Sequence, residues 1–133
     1  MQDIRTERPL LSWKIKMALT LKKLRDRKLR RKRILERELE RIAGHLIEFG
    51  ALRIILFGSY AQGRTRSFSD LDIISVMPET MTGREWMSKI YEEIDREVSC
   101  DILAYTDKEL DRIITVSRFL RHALKTGRVI YER

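Results

Sequence analysis

The chain has 133 residues, one cysteine and a formal net charge of +8, and this length corresponds to a single domain of ordinary size. One cysteine excludes an internal disulfide and a zinc site built from several cysteines. No apolar run approaches the roughly 18 residues that span a bilayer, and no hydrophobic leader follows Met1. We therefore expect a cytoplasmic protein that does not enter a membrane.

The charge is distributed very unevenly along the chain. Residues 1–50 contain 15 Lys and Arg against 7 Asp and Glu, whereas residues 51–133 contain 13 of each kind. The cations are densest in residues 22–33. A basic helical stretch of this kind can bind RNA, an anionic membrane or an acidic protein surface, or it can be a solvated helix face. Homo-oligomerisation also stays open.

The first part of the chain is predicted to be helical. Residues 1–9 are polar and end at Pro9, which predicts a loose arm, and residues 10–49 then predict two helices or one long bent helix. Two apolar stripes occur at helical spacing: Trp13, Met17, Leu21 and Leu24, and then Leu35, Leu39, Ile42, Leu46 and Phe49. The first stripe has no obvious cover within the chain. We predict a basic helical extension over residues 1–34 and a single folded domain over residues 35–133.

The predicted domain over residues 35–133 alternates between strand and helix patterns. After Gly50 we predict, in order, a strand (51–57), a short helical piece (58–63), a loop (64–69), a strand (70–77), a helix opened by a capping box at Thr82 and reaching about residue 97, a strand (98–105), and a helix opened by a second box at Thr106. Gly127 ends that helix, and residues 129–131 form a last strand. The fold class is α/β (α+β), a small mixed sheet with helices on one face and the carboxylate face open.

One stretch, ILFGSYAQGRTRSFSDLDIISV, carries the chemistry. Gly58 has no Cβ, so backbone N–H groups can approach an anion there, and Ser59 adds a hydroxyl. Strand alternation predicts that Asp70 and Asp72 point to the same face. Two adjacent carboxylates repel each other, and Mg²⁺ or Mn²⁺ is the natural occupant of such an all-oxygen site. An anion site beside a dicarboxylate metal site is what nucleotide phosphate chemistry requires.

The order of these features resembles a known superfamily. An apolar residue, Gly58-Ser59, a spacer and then Asp70-x-Asp72 are similar to the signature of DNA polymerase beta-type nucleotidyltransferases, and the string GSYAQG followed by SDLDI looks most like the minimal nucleotidyltransferase (MNT) branch. The resemblance covers residues 35–132. Family members often carry Arg or Lys where Gln62 stands. The resemblance implies a nucleotidyltransferase fold.

The resemblance also implies a set of site residues. Asp70, Asp72 and, as third carboxylate, Asp101 would hold two Mg²⁺ or Mn²⁺ ions, with Asp101 at the ion that activates the attacking hydroxyl. Gly58 and Ser59 would contact the β- and γ-phosphates of ATP or another NTP. Arg64 and Arg66 lie in the predicted loop between the Gly-Ser pair and the carboxylates. They either neutralise the charge of the triphosphate or only keep the loop soluble. The two histidines are assigned no catalytic role, and Cys100 is expected to be buried.

The implied reaction is transfer of a nucleoside monophosphate, AMP from ATP, to a hydroxyl acceptor with release of pyrophosphate. Small members of the family commonly act with a helical HEPN protein, often as antitoxin to a HEPN ribonuclease toxin, and some adenylylate its tyrosines. Two alternatives stay open. One is a non-catalytic antitoxin or binding module with the same fold. The other is an RNA-directed nucleotidyltransferase whose basic helix at residues 22–33 contacts the RNA.

Overall fold

The computed structural model describes residues 4–63 and 70–133, with side chains from residue 12 onward. Within these ranges the elements follow in the order α1 (Ile4–Glu48), β1 (Arg53–Phe57), α2 (Gly58–Ala61), β2 (Leu71–Met77), α3 (Gly83–Glu93), β3 (Cys100–Thr106), α4 (Asp107–Ile113), α5 (Arg118–Thr126) and β4 (Arg128–Glu132). None of the helices described combines the length and the apolar character needed to cross a bilayer.

The N-terminal segment is one helix. Because α1 begins at Ile4, the prediction of a loose arm is wrong for residues 4–9. Pro9 removes one intrahelical donor, but the helix formers around it keep the backbone helical. The chain divides into two units, Met1–Ile34 and Leu35–Arg133. The assignment of separate functions to residues 1–34 and 35–133 stays a prediction.

The four strands form a mixed sheet in the order β3-β2-β1-β4. Strand β1 pairs antiparallel with both β2 and β4, and β2 pairs parallel with β3. A parallel pair needs a crossover between its strands, and α3 supplies it. The mixed α/β class with a long N-terminal helix is confirmed. The carboxyl end of β1 and the amino ends of β2 and β3 consequently meet at one edge of the sheet.

Helices cover both faces of this sheet, and not one face as the sequence predicted. On one face, buried side chains of the second half of α1 and of α3 pack on the odd-numbered positions of β2, such as Leu71 and Ile73. On the other, Leu110 of α4 and Leu120 of α5 pack against the even-numbered Ile74. Most of the sheet residues that point to this second face are apolar, so α4 and α5 must bury them. The predicted open carboxylate face is therefore open only at the edge of the sheet.

Both predicted capping boxes are confirmed, at Thr82 and Thr106. The helix after Thr106 is nevertheless two helices. The backbone N–H of Ser117 donates to Ile113 at 2.9 Å, and the Ser117 hydroxyl accepts from the N–H of Leu120 at 3.1 Å. A serine that caps a new helix start competes with continuation of the old one. The break turns α5 onto the second face of the sheet.

Candidate active site

Two carboxylates become neighbours through strand pairing. Asp72 on β2 lies directly opposite Asp101 on β3 in the parallel register, and opposite Phe57 in the antiparallel pairing with β1. Residues in register on neighbouring strands point to the same face of a sheet. Asp72 is half-buried and Asp101 is exposed. The sheet thus places two negative charges side by side immediately next to the end of β1.

Gly58, the first residue after β1, adapts the turn to these carboxylates. Its φ is 77°, in the left-handed region that favours glycine. A Cβ at this position would collide with Oδ2 of Asp72 and would lie 3.0 Å from its Cγ. The turn therefore brings backbone directly against the Asp72 carboxylate, in a space that no other residue type could share.

These residues open onto a cleft of about 560 Å³, a size typical of small-molecule sites. Four of the predicted site residues line it. Among the residues that the structure describes, the cleft is lined by Phe57, Gly58, Ser59, Gln62, Asp72, Tyr91, Asp101, Leu103, Phe119, His122, Ala123 and Thr126. The predicted contacts Arg64 and Arg66 lie outside the described residues.

Asp70 does not join this lining. Its Oδ2 accepts a hydrogen bond from the N–H of Ser99 at 3.3 Å, while the N–H groups of Asp70 and Leu71 donate to the Ser99 carbonyl at 2.8 and 3.1 Å. Because β2 begins only at Leu71, the strand alternation that predicted a shared face with Asp72 does not extend to Asp70. Its role as a metal ligand stays a prediction.

The two carboxylates of the cleft fit a divalent cation that arrives with a nucleotide. In the described part of the chain, no three His, Cys, Asp or Glu side chains gather into a metal site. Mg²⁺, however, is usually held by one or two carboxylates together with substrate phosphates. Asp72 and Asp101 supply that number of protein ligands, and the backbone of Gly58 lies directly beside the Asp72 carboxylate. A bound cation would neutralise charge at the phosphates and lower the pKa of a hydroxyl next to it.

Helix α5 forms a wall of the cleft that the sequence analysis missed. Phe119, His122 and Thr126 line it, and their spacing of three and four residues puts them on one helix face. The Phe119 ring, 58 % exposed, meets the Phe57 ring edge-on at 5.7 Å between centroids. The spacing was readable in the sequence, but only the tertiary fold brings this face to the carboxylates.

Tyr91 supports the outer edge of the cleft. Its hydroxyl accepts a hydrogen bond at 3.0 Å from the N–H of Ile102, the residue that follows Asp101 on the edge strand β3. The Arg96 guanidinium stacks on the Tyr91 ring, 3.9 Å from its centroid. Tyr91 thereby satisfies a backbone donor that the edge of the sheet would leave exposed, right beside Asp101.

The remaining candidate groups have no place in the cleft. Burial raises the pKa of the Cys100 thiol to about 12, so this cysteine stays protonated, as expected for a buried apolar residue. His45 lies on α1 with its Nδ1 3.8 Å from a carboxylate oxygen of Glu48. Neither the thiol nor His45 lines the cleft.

A comparison with protein families gives one match. The family model described as polymerase beta, nucleotidyltransferase matches residues 40–133, a range that contains Asp70 and every described residue that lines the cleft. The search of curated proteins and the search of solved structures each gave no match.

Proposed function

The chain belongs to the polymerase beta nucleotidyltransferase family, and on that premise we propose that it transfers AMP from ATP to a hydroxyl acceptor in the cytoplasm. The family assignment supports nucleotidyl transfer in general. The observation that carries the proposal is the direct pairing of Asp72 with Asp101 beside the Gly58 turn. A pure binding surface has no use for two adjacent carboxylates, because they repel each other in the absence of a cation.

In the proposed reaction the acceptor oxygen attacks the α-phosphorus of ATP. The bond from that phosphorus to the bridging oxygen of the β-phosphate breaks, and pyrophosphate leaves. Asp72 and Asp101 would hold Mg²⁺ or Mn²⁺, which would neutralise charge at the phosphates, and the exposed carboxylate of Asp101 would take the proton of the acceptor hydroxyl. Gly58 and Ser59, which line the cleft, would contact the β- and γ-phosphates, and the Phe119 ring would offer an apolar surface for the base.

A helical protein of the HEPN type is the partner we propose, with a hydroxyl of that protein as acceptor. The support comes from an exposed apolar stripe on the first unit, which we call the N-terminal seam. Its members Trp13, Met17, Leu21 and Leu24 recur at helical spacing and are each about half exposed. A narrow stripe of this kind is the pattern that packs against another helix. Residues 22–33 add nine Lys and Arg against one Asp, so the matching helix would be acidic beside its apolar stripe.

Two other functions keep a specific observation in their favour. The hydrogen bond between Asp70 and Ser99 supports a non-catalytic antitoxin, because among the described residues two carboxylates, Asp72 and Asp101, then line the cleft. The density of cations in residues 22–33 supports an RNA acceptor, because Lys and Arg side chains release counterions from phosphates. The non-catalytic alternative does not account for the close approach of the Gly58 backbone to the Asp72 carboxylate.

Position-specific labels in ATP test the proposal. The tagged chain, with the macromolecules that co-purify with it, would be incubated with Mg²⁺ and ATP labelled at either the α- or the γ-phosphorus. We expect a macromolecule to become stably labelled from α-labelled ATP alone. Digestion of that labelled macromolecule by protease or by ribonuclease then shows whether the acceptor is a protein or an RNA. Label from the γ-position would indicate phosphoryl transfer. No transfer from either label, while nucleotide binds, would support the non-catalytic antitoxin.

A further inference from the structure

A buried carboxylate lies outside the cleft, on α1. The Glu38 side chain is only 3 % exposed, and a buried charge destabilises the folded state unless it is paired and hydrogen-bonded. Arg41, one helical turn further on, forms the ion pair with it: its Nε donates to Oε1 of Glu38 at 2.7 Å. Both residues belong to the same unit as the cleft.

Each member of the ion pair also forms a hydrogen bond with the backbone between α3 and β3. Oε2 of Glu38 accepts from the N–H of Glu97 at 2.7 Å. An Nη of Arg41 donates to the carbonyl of Asp95. Two side chains of α1 thus hold one N–H and one carbonyl of the segment over residues 94–99, which we call the α3–β3 segment.

The far end of the α3–β3 segment reaches the carboxylates. Ser99 stands two residues after Glu97, and its N–H and carbonyl bind Asp70 and the start of β2. Asp101 follows two residues later on β3. The position of the segment therefore sets where β3 begins relative to β2, and with it the alignment of Asp101 against Asp72.

A purely stabilising role explains this arrangement poorly. Replacing a buried ion pair by apolar residues of the same volume is often neutral or stabilising, so such pairs contribute little net stability. The contacts of Glu38 and Arg41 are also directed at backbone groups of a segment without helix or strand. We propose that Glu38 and Arg41 are positioning residues for Asp101 and Asp72, and this inference rests on the proposed function of the cleft.

The test uses variants of Glu38 in the full chain. Glu38→Ala removes the acceptor for the Glu97 N–H, while Glu38→Gln keeps an oxygen there and loses the charge that faces Arg41. Glu40→Ala, on the same helix but exposed, is the matched control. Affinity for Mn²⁺ with α,β-methylene-ATP would be measured by calorimetry at a temperature where circular dichroism shows every variant fully folded. Amide hydrogen exchange would be followed at residues 97–101.

We expect Glu38→Ala to weaken Mn²⁺–nucleotide binding about 10- to 100-fold, the usual effect of losing a residue that orients metal ligands, and to speed exchange at residues 97–101. Glu38→Gln should fall between the wild-type protein and Glu38→Ala, and it keeps the test valid if the alanine variant does not fold. Glu40→Ala should change neither quantity. Equal affinity in folded Glu38→Ala and wild-type protein overturns the inference, as does unchanged exchange at residues 97–101. Failure of the wild-type protein itself to bind Mn²⁺ and nucleotide would count against the proposed function instead.

Discussion

Gly58 and Asp72 share one small volume at the edge of the sheet. A Cβ on Gly58 would collide with Oδ2 of the Asp72 carboxylate, and the backbone of Gly58 has a φ of 77°. Both facts demand glycine, one through the space and the other through the conformation. The glycine of the Gly-Ser pair is therefore required by the carboxylate that lies 14 residues further along the chain.

Gly58→Ala should abolish metal-dependent nucleotide binding as well as lower stability. The left-handed backbone alone costs an alanine about 1–2 kcal/mol, and the collision would displace Asp72 besides. Gly63→Ala is the matched control, because Gly63 has a similar φ of 72° but no described residue lies within 4 Å of its Cβ position. Chemical denaturation and a thermal-shift titration with Mg²⁺ and ATP measure the two effects.

Gly63→Ala should lose stability yet keep the thermal shift, which reports binding to the native state. If both variants keep the shift, Gly58 has no special relation to the nucleotide site.

Asp72→Asn and Asp70→Asn should behave differently, although a single motif contains both residues. Asp72→Asn removes a carboxylate that we propose as a metal ligand. Binding of Mn²⁺ with α,β-methylene-ATP should therefore weaken by roughly 100-fold, which is at least the effect of losing a residue that only orients a metal ligand. Without metal the variant should be as stable as the wild-type protein or more stable, since repulsion with Asp101 is relieved. Asp70→Asn keeps a neutral acceptor for the Ser99 N–H and should weaken binding far less.

Calorimetric titration of Asp72→Asn and Asp70→Asn with Mn²⁺ and α,β-methylene-ATP measures whether the two losses of affinity differ. Losses of equal size would mean that Asp70 leaves Ser99 and enters the site when the metal binds, as the resemblance to the family implies.

Local patterns predicted the elements and the core motif well. The strands over residues 51–57 and 70–77 lie within two residues of β1 and β2, and both capping boxes formed where Thr82 and Thr106 predicted them. These signals depend on neighbours along the chain, such as a hydroxyl three residues before a backbone N–H. The resemblance to the family implied Asp101 as a third carboxylate, and the strand register places it directly opposite Asp72.

The sequence could not predict features that depend on contacts between distant residues. Helix α3 stops at Glu93 and not at residue 97. In the segment that follows, Arg41 and Glu38 of α1 bind the backbone of Asp95 and Glu97. No pattern near residue 93 announces those contacts. Likewise Asp70 turns to Ser99, and the α5 wall reaches the cleft only because the sheet is covered on both faces.

The thiol of Cys100 predicts how stability depends on alkaline pH. Burial raises its pKa from 9.0 to about 12 in the folded protein, so between these pH values the unfolded chain releases a proton that the folded chain keeps. The stabilising contribution is therefore complete below pH 9 and is lost progressively as the pH rises towards 12. Cys100→Ala should show a shallower fall in the free energy of unfolding over this range.

Urea denaturation of both proteins from pH 8 to pH 11 measures the difference. The raised pKa values of Tyr60 and Tyr105 act equally in both proteins and cancel. Parallel curves would show that the thiol ionises normally in the folded state.

The N-terminal seam should bind its partner through apolar contacts. Met17→Glu with Leu21→Glu places charge on the seam and should remove a co-purifying helical protein. Ile15→Glu with Leu19→Glu adds the same charge to equally exposed positions that lie on another side of the helix, so it should reduce binding only slightly. Co-purification with the tagged variants is the measurement.

An RNA partner would give a different result. Both double variants would then weaken binding alike, through charge, and log affinity would fall with log salt by about 0.7 per phosphate contact.

Electron paramagnetic resonance of Mn²⁺ measures directly whether Asp72 and Asp101 form the metal–nucleotide site. The nucleotide alone also weakens the strong signal of free Mn²⁺, so the spectrum of Mn²⁺ with α,β-methylene-ATP is the reference. It would be compared with the spectra after addition of the wild-type protein, Asp72→Asn, Asp101→Asn and the control Asp107→Asn. Asp107 lies at the start of α4 and does not line the cleft. We predict that the wild-type protein and Asp107→Asn bind Mn²⁺ with the nucleotide, and that Asp72→Asn and Asp101→Asn both lose it. Equal binding by all four proteins would contradict the account.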